Sequence, residues 1–121
     1  MSEELLYEKG DVLVRRAILE PGESSAWHTD SCDRVTVILS GDRLAIEFRD
    51  SGEIQEFDVR AGQVDWDEPT SEVHRAINVG RRRYEEVVTF FLSEPGQDPQ
   101  PIVEPTDRGL MVRKGVDNYE R

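Results

Sequence analysis

Cysteine is nearly missing from this 121-residue chain, and the one that occurs, Cys32, has no partner for an intrachain disulfide. A packed core must therefore hold the fold. Long hydrophobic runs are also lacking: the longest candidate, Val87 to Leu92, falls far below the roughly 20 residues that a membrane-spanning helix needs. The first residues, Met1-Ser2-Glu3-Glu4, carry neither the basic start nor the apolar stretch of a secretory signal. A soluble, cytoplasmic protein with no membrane partner is the expectation. Basic residues are in short supply too, 15 Lys and Arg against 26 Asp and Glu, and the net charge of -11 repels nucleic-acid phosphates. Nucleic acid is not expected as a partner. The local exception, Arg81-Arg82-Arg83 after Gly80, reads as a solvated turn. No window shows a sustained period of 3.6 with end caps, and Leu5 to Tyr7 supports at most one helical turn. No phosphate-binding loop, dinucleotide fingerprint or activated nucleophile is present to suggest those enzyme classes.

What the chain does hold is a series of short runs rich in Val, Ile and Phe, bounded by Gly, Pro, Asp and Ser. They predict strands over Val12 to Leu19, Arg34 to Leu39, Leu44 to Phe48, Ile54 to Val59, Gln63 to Trp66, Val73 to Asn78 and Tyr84 to Leu92. Turn signals such as Pro21-Gly22, Ser40-Gly41-Asp42 and Asp50-Ser51-Gly52 separate them. The fold class is therefore all-β, an antiparallel barrel or sandwich of one domain over residues 1–92. Residues 93–121 differ: Ser93 to Thr106 holds four of the six prolines and little apolar material, the composition of a Pro-rich C-terminal tail. Within it Leu110-Met111-Val112 is either one short strand, on its own barrel or a partner's, or part of a mobile terminus.

Both histidines stand in the β-rich region, each close after a turn. In the first stretch Gly22 is followed by His28, Asp30, Arg34 and Gly41, and on an extended strand His28, Asp30 and Arg34 share one face. In the second, Gly62 is followed by Pro69, Ser71, His74 and Asn78, and His74, Ala76 and Asn78 share a face. These stretches resemble the two motifs of the cupins, small jelly-roll β-barrels whose first motif supplies two histidines and a glutamate and whose second supplies one more histidine. The resemblance covers Gly22 to Asn78, with candidate flanking strands from about Asp11 to Leu92. Within the family the pattern Pro21-Gly22, Trp27-His28 and His74 to Gly80 is most similar to small single-domain cupins named for beta-alanine degradation. Asp30 stands where the second histidine is expected and Arg34 where the glutamate is expected.

The resemblance implies a barrel that binds a small molecule, with a divalent metal (Fe, Mn, Ni or Zn) and oxygenase or isomerase chemistry as its enzymatic form. Three arrangements of the site remain open. His28, Asp30 and His74 hold the metal as two imidazoles and one carboxylate, a set that leaves positions open for substrate. Alternatively Asp30 pairs with Arg34, which takes the place of the cation, and the pocket serves as a metal-free binding or sensing module. About 13 Å of extended strand separates the two residues, so that pairing needs a bend at Ser31-Cys32-Asp33. In the third arrangement both histidines are ordinary polar residues at a barrel end. A small carboxylate is the expected ligand, with Arg34, Trp27 and Asn78 as its contacts. Cys32 is either a thiol at the mouth or an inert small residue, Trp27 and Trp66 flank the two motifs and either line the pocket or, as large aromatics in a small barrel usually do, sit in the core, and Asp65, Asp67 and Glu68 read as a solvated acidic turn. The outward positions Val35, Val37 and Leu39 form an apolar strip that suits a homodimer.

Overall fold

In a computed structural model that describes residues 1–104, the chain forms nine strands and, among those residues, no helix. They are β1 (Ser2–Lys9), β2 (Val12–Leu19), β3 (His28–Asp30), β4 (Asp33–Ser40), β5 (Arg43–Phe48), β6 (Ile54–Asp58), β7 (Val64–Asp67), β8 (Thr70–Asn78) and β9 (Tyr84–Phe91). All seven expected strands are present within a few residues of their expected limits. The strand considered at Leu110 to Val112 lies outside the described residues.

Two antiparallel sheets face each other, one in the order β1-β2-β9-β4-β7 and the other in the order β3-β8-β5-β6. This is the two-sheet jelly roll that the alternating runs imply. Side chains of one parity on each strand point between the sheets. Leu19, Ile38, Leu44, Val59 and Tyr84 close one end as a buried cluster, and Leu13, Cys32, Val88, Phe90 and Leu92 form a second cluster near the other. Gly41 turns the chain at the first of these ends with a positive φ, where an added Cβ would lie 3.0 Å from the Tyr84 ring.

Two strands were not expected from the sequence. β1 is exposed along its whole length, Leu5, Leu6 and Tyr7 included, so it offers no alternation of buried and exposed residues to read. It forms by backbone pairing with β2 alone. β3 is only three residues long, and its pairing with β8 is irregular: His28 faces His74 and Asp30 faces Thr70, with a register shift between them. The expected core position of Trp66 is also corrected. On β7 it is Asp65 and Asp67 that face the interior, while Val64 and Trp66 point outward, Trp66 remaining 55% exposed. Trp66 packs instead on Phe91, ring centroids 5.9 Å apart, on the outer face of the five-stranded sheet. The arginine turn behaves as expected, with Arg81 donating its N–H to Asp42 and Arg83 paired with Glu20 at the surface.

Candidate metal centre

The chain leaves the four-stranded sheet at Asp30, turns at Ser31-Cys32 and enters the five-stranded sheet at Asp33. That corner does what the straight strand could not. It folds Arg34 back so that its Nη1 lies 3.0 Å from Asp30 Oδ2, both side chains inside the barrel mouth. The N–H is not aimed along the carboxylate lone pair, so the contact is an ion pair without an aligned hydrogen bond between its partners.

His28 and His74 meet across the same end, directly opposite in the β3–β8 ladder, with ring centroids 4.6 Å apart. Each Nδ1 lies 2.8 Å from a main-chain carbonyl two residues earlier, Ala26 for His28 and Glu72 for His74. A carbonyl oxygen only accepts, which assigns the Nδ1 proton in both rings and turns both Nε2 atoms toward Asp30. His74 Nε2 stands 3.0 Å from Asp30 Oδ2, and His28 Nε2 stands 3.6 Å from Oδ1. The three candidate ligand atoms all lie within 4.8 Å of one another. An anchored imidazole with its second nitrogen free is the form in which histidine binds a metal.

Electrostatics make Asp30 the hub. Burial pushes its carboxyl upward, but His74, Arg34 and Gln100 outweigh that and hold it at about 2. The hydrogen bond to Asp30 raises His74 above its ordinary value, whereas burial lowers His28. If Nε2 of His74 were unprotonated in the metal-free protein, its lone pair would face a carboxylate oxygen. A proton on Nε2, or a cation between the two groups, relieves that opposition.

The site opens on a cavity of about 360 Å³ between the sheets, in the range of small-molecule pockets. Its walls are mainly Ile38, Leu44, Ile46, Val59 and Val88, with Arg15 and Arg34 as basic groups and Glu3, Asp65, Asp67, Glu86 and Asp98 as acidic ones. Glu86 accepts a hydrogen bond from Tyr84, and burial raises its carboxyl. Its remaining exposed area faces the cavity, which sequence reading did not assign to it. Asp65 and Asp67 also reach this cavity, correcting their reading as a solvated turn.

Two expected ligand contacts are placed elsewhere. Trp27 lies on the outer side of the sheet under the Arg75 guanidinium, 4.4 Å from ring centroid to Cζ, and does not line the cavity. Its one-residue offset from His28 turns it outward by strand parity. Asn78 shares the inward face of His74, as parity required, but its amide is consumed by structure: Nδ2 donates to the carbonyls of Leu19 and Arg82, and Oδ1 accepts from Gly80. It pins the barrel floor, and at 1% exposure it does not line the cavity. Cys32 is buried among Leu13, Val88, Phe90 and Leu92, where burial raises its thiol, so it packs as an apolar residue.

No protein-family model matches the sequence, and no curated protein matches it. Solved structures do. A cupin domain from Bordetella pertussis Tohama I superposes with a TM-score of 0.68 over 76% of this chain and 93% of that one, at 20% identity. The fold is that of the cupins. A conserved protein with a double-stranded β-helix domain from Klebsiella pneumoniae is similar at a TM-score of 0.62 and 22% identity, over 86% of this chain and 84% of that one. An oxalate oxidase in complex with the substrate analogue glycolate is similar at a TM-score of 0.54 and 23% identity, over 71% of this chain and 44% of that one. At these identities the likeness concerns the barrel alone. Within this cupin barrel, the buried His28, Asp30 and His74 form a group able to bind a metal.

Proposed function

We propose that this cupin binds a small carboxylate beside a divalent metal held by His28, Asp30 and His74, as an oxygenase or isomerase. The observation that carries the reading is the commitment of both Nδ1 atoms to main-chain carbonyls, which leaves both Nε2 atoms facing one carboxylate. Two imidazoles and one carboxylate suit iron, manganese, nickel or zinc and leave coordination positions open. When bound, the metal supplies Lewis-acid or redox chemistry at those positions. Arg34 orients a ligand carboxylate by a charged, bidentate contact, and the apolar walls keep water from the bound molecule. An oxalate oxidase among the fold neighbours, with glycolate bound, and the motif likeness to cupins of beta-alanine degradation both agree with a small acid. The test is a calorimetric titration of metal-stripped protein with manganese, nickel and iron. One site per chain is expected, weakened about 100-fold or more in His74→Ala. Absence of any binding by folded wild type overturns the reading.

A second reading is favoured by one contact. Arg34 Nη1 already stands 3.0 Å from Asp30 Oδ2, where a cation would satisfy the same oxygen. In that arrangement the protein is a metal-free module that holds or senses a small acid, with Arg34 as anchor. It expects glycolate to bind to metal-free protein and not to Arg34→Gln.

We further propose that the chain pairs with a second copy through the outer face of the five-stranded sheet. Val35 and Val37 are only half-buried there, and exposed Leu39, Val64, Trp66 and Phe91 adjoin them through the β7–β4–β9 ladder. Light scattering at micromolar concentration should give twice the chain mass, falling to one chain in Trp66→Glu. A monomeric wild type excludes this pairing.

A further inference from the structure

The segment after β9 returns to the barrel mouth and lies along the free side of β3. Ser31 and Thr29 donate their N–H groups to the carbonyls of Pro99 and Pro101, at 3.0 and 3.1 Å, and Val103 donates to Trp27 at 2.8 Å. An antiparallel bridge joins His28 and Ile102, which sets Gln100 opposite Asp30 on the same face. Side chains secure the attachment: Ser31 Oγ donates to the Asp98 carbonyl at 2.7 Å, and Gln97 Nε2 donates to Ser31. Pro99 is fully buried. Gln100 is thereby aimed into the metal centre, its Nε2 lying 3.0 Å from Asp30 Oδ1 and 3.4 Å from His28 Nε2.

We propose that Gln100 is a fourth metal ligand, through its amide oxygen, and that it biases the site toward manganese over zinc. This rests on the metal reading above. The terminal amide already occupies the same few ångströms as the three candidate ligands, and it touches two of them. With no cation present it donates to Asp30 and His28. A cation at the centre repels that N–H₂ group, and a half-turn of the amide exchanges nitrogen for oxygen at nearly the same heavy-atom positions. Carbonyl and carboxylate oxygens suit manganese, whereas zinc is satisfied by three protein ligands and water.

The test measures manganese and zinc affinity by calorimetry on the full chain, metal-stripped, for wild type, Gln100→Ala and Gln100→Glu, each checked for folding by circular dichroism. Gln100→Ala should weaken manganese about 10-fold or more and zinc by less than about 3-fold. Gln100→Glu, near in size and charged, should tighten manganese by about 10-fold. Unchanged manganese affinity in Gln100→Ala, or equal loss of both metals, overturns the ligand assignment while leaving the metal reading in place. Equal loss would mark Gln100 as a residue that positions Asp30. If Gln100→Ala does not fold, Gln100→Glu decides, and no gain in manganese affinity overturns the proposal. A wild type that binds neither metal overturns both readings together.

Discussion

Asp30→Ala is expected to cost the metal-free protein about 2 to 4 kcal/mol of unfolding free energy, because it removes the nearer and more buried of the two carboxylates beside the Arg34 guanidinium, leaving only the half-exposed Asp67 at 3.7 Å. The Asp30 side chain is 1% exposed and that of Arg34 17%, so water repairs the loss only in part. The same change strips Gln100 and His74 of their shared acceptor. Urea unfolding should show a lower midpoint with an unchanged slope. A loss below about 1 kcal/mol would mean that the Asp30–Arg34 pair is solvated instead of held inside the barrel mouth. The wild-type contribution is also linked to pH. Asp30 titrates at about 2 in the folded protein against about 3.9 when unfolded, so its stabilisation is complete above about pH 4 and disappears as pH falls through about 2. About 2 kcal/mol of the difference between wild type and variant should vanish across that window.

Arg34→Glu is expected to act in opposite directions with and without metal. Without metal, the introduced carboxylate joins Asp30 and Asp67, both of which Arg34 now neutralises, and stability should fall by about 3 kcal/mol. With divalent metal, the centre has two imidazoles and up to two carboxylates, and affinity for manganese should rise about 10-fold to 100-fold. Manganese at 1,000 times its dissociation constant should then return about 4 kcal/mol. Glycolate binding should fall at the same time, since no guanidinium remains to receive it. Paired thermal melts and calorimetric titrations read both effects. A folded variant that binds metal no more tightly than wild type would remove Arg34 from the centre.

The barrel was legible because most of its strands bury one face, so that the alternation in Val12 to Leu19 or Tyr84 to Leu92 is written directly in the residues. Parity put His28 and Asp30 on one face and showed the need for a bend before Arg34 could reach Asp30, whereas the grouping of His74 with them came from the resemblance of the two stretches to the cupin motifs. β1 was not, because a strand with no buried face leaves no periodic trace. β7 misled in the other direction: its acidic residues point inward and its Val64 and Trp66 outward, since the outer surface it joins is itself apolar. Gln100 was out of reach of sequence reasoning altogether. It lies 70 residues from Asp30, in a stretch whose prolines signal a tail, and only tertiary pairing with β3 brings it to the site.

Those prolines have one more consequence. Facing β3, Pro99 and Pro101 bring carbonyls but no N–H groups, and on the opposite side the Gln100 N–H is already taken by Asp98 Oδ1. On the outer border the Gln100 N–H is thus not offered to a further chain, which makes this edge a poorer template for strand addition than an unmodified strand. The segment that carries Gln100 to the barrel mouth thus also covers one border of that sheet. Among the described residues the other outer strands, β6 in this sheet and β1 and β7 in the other, have no such cover, so the protection is specific to the border that carries His28 and Asp30.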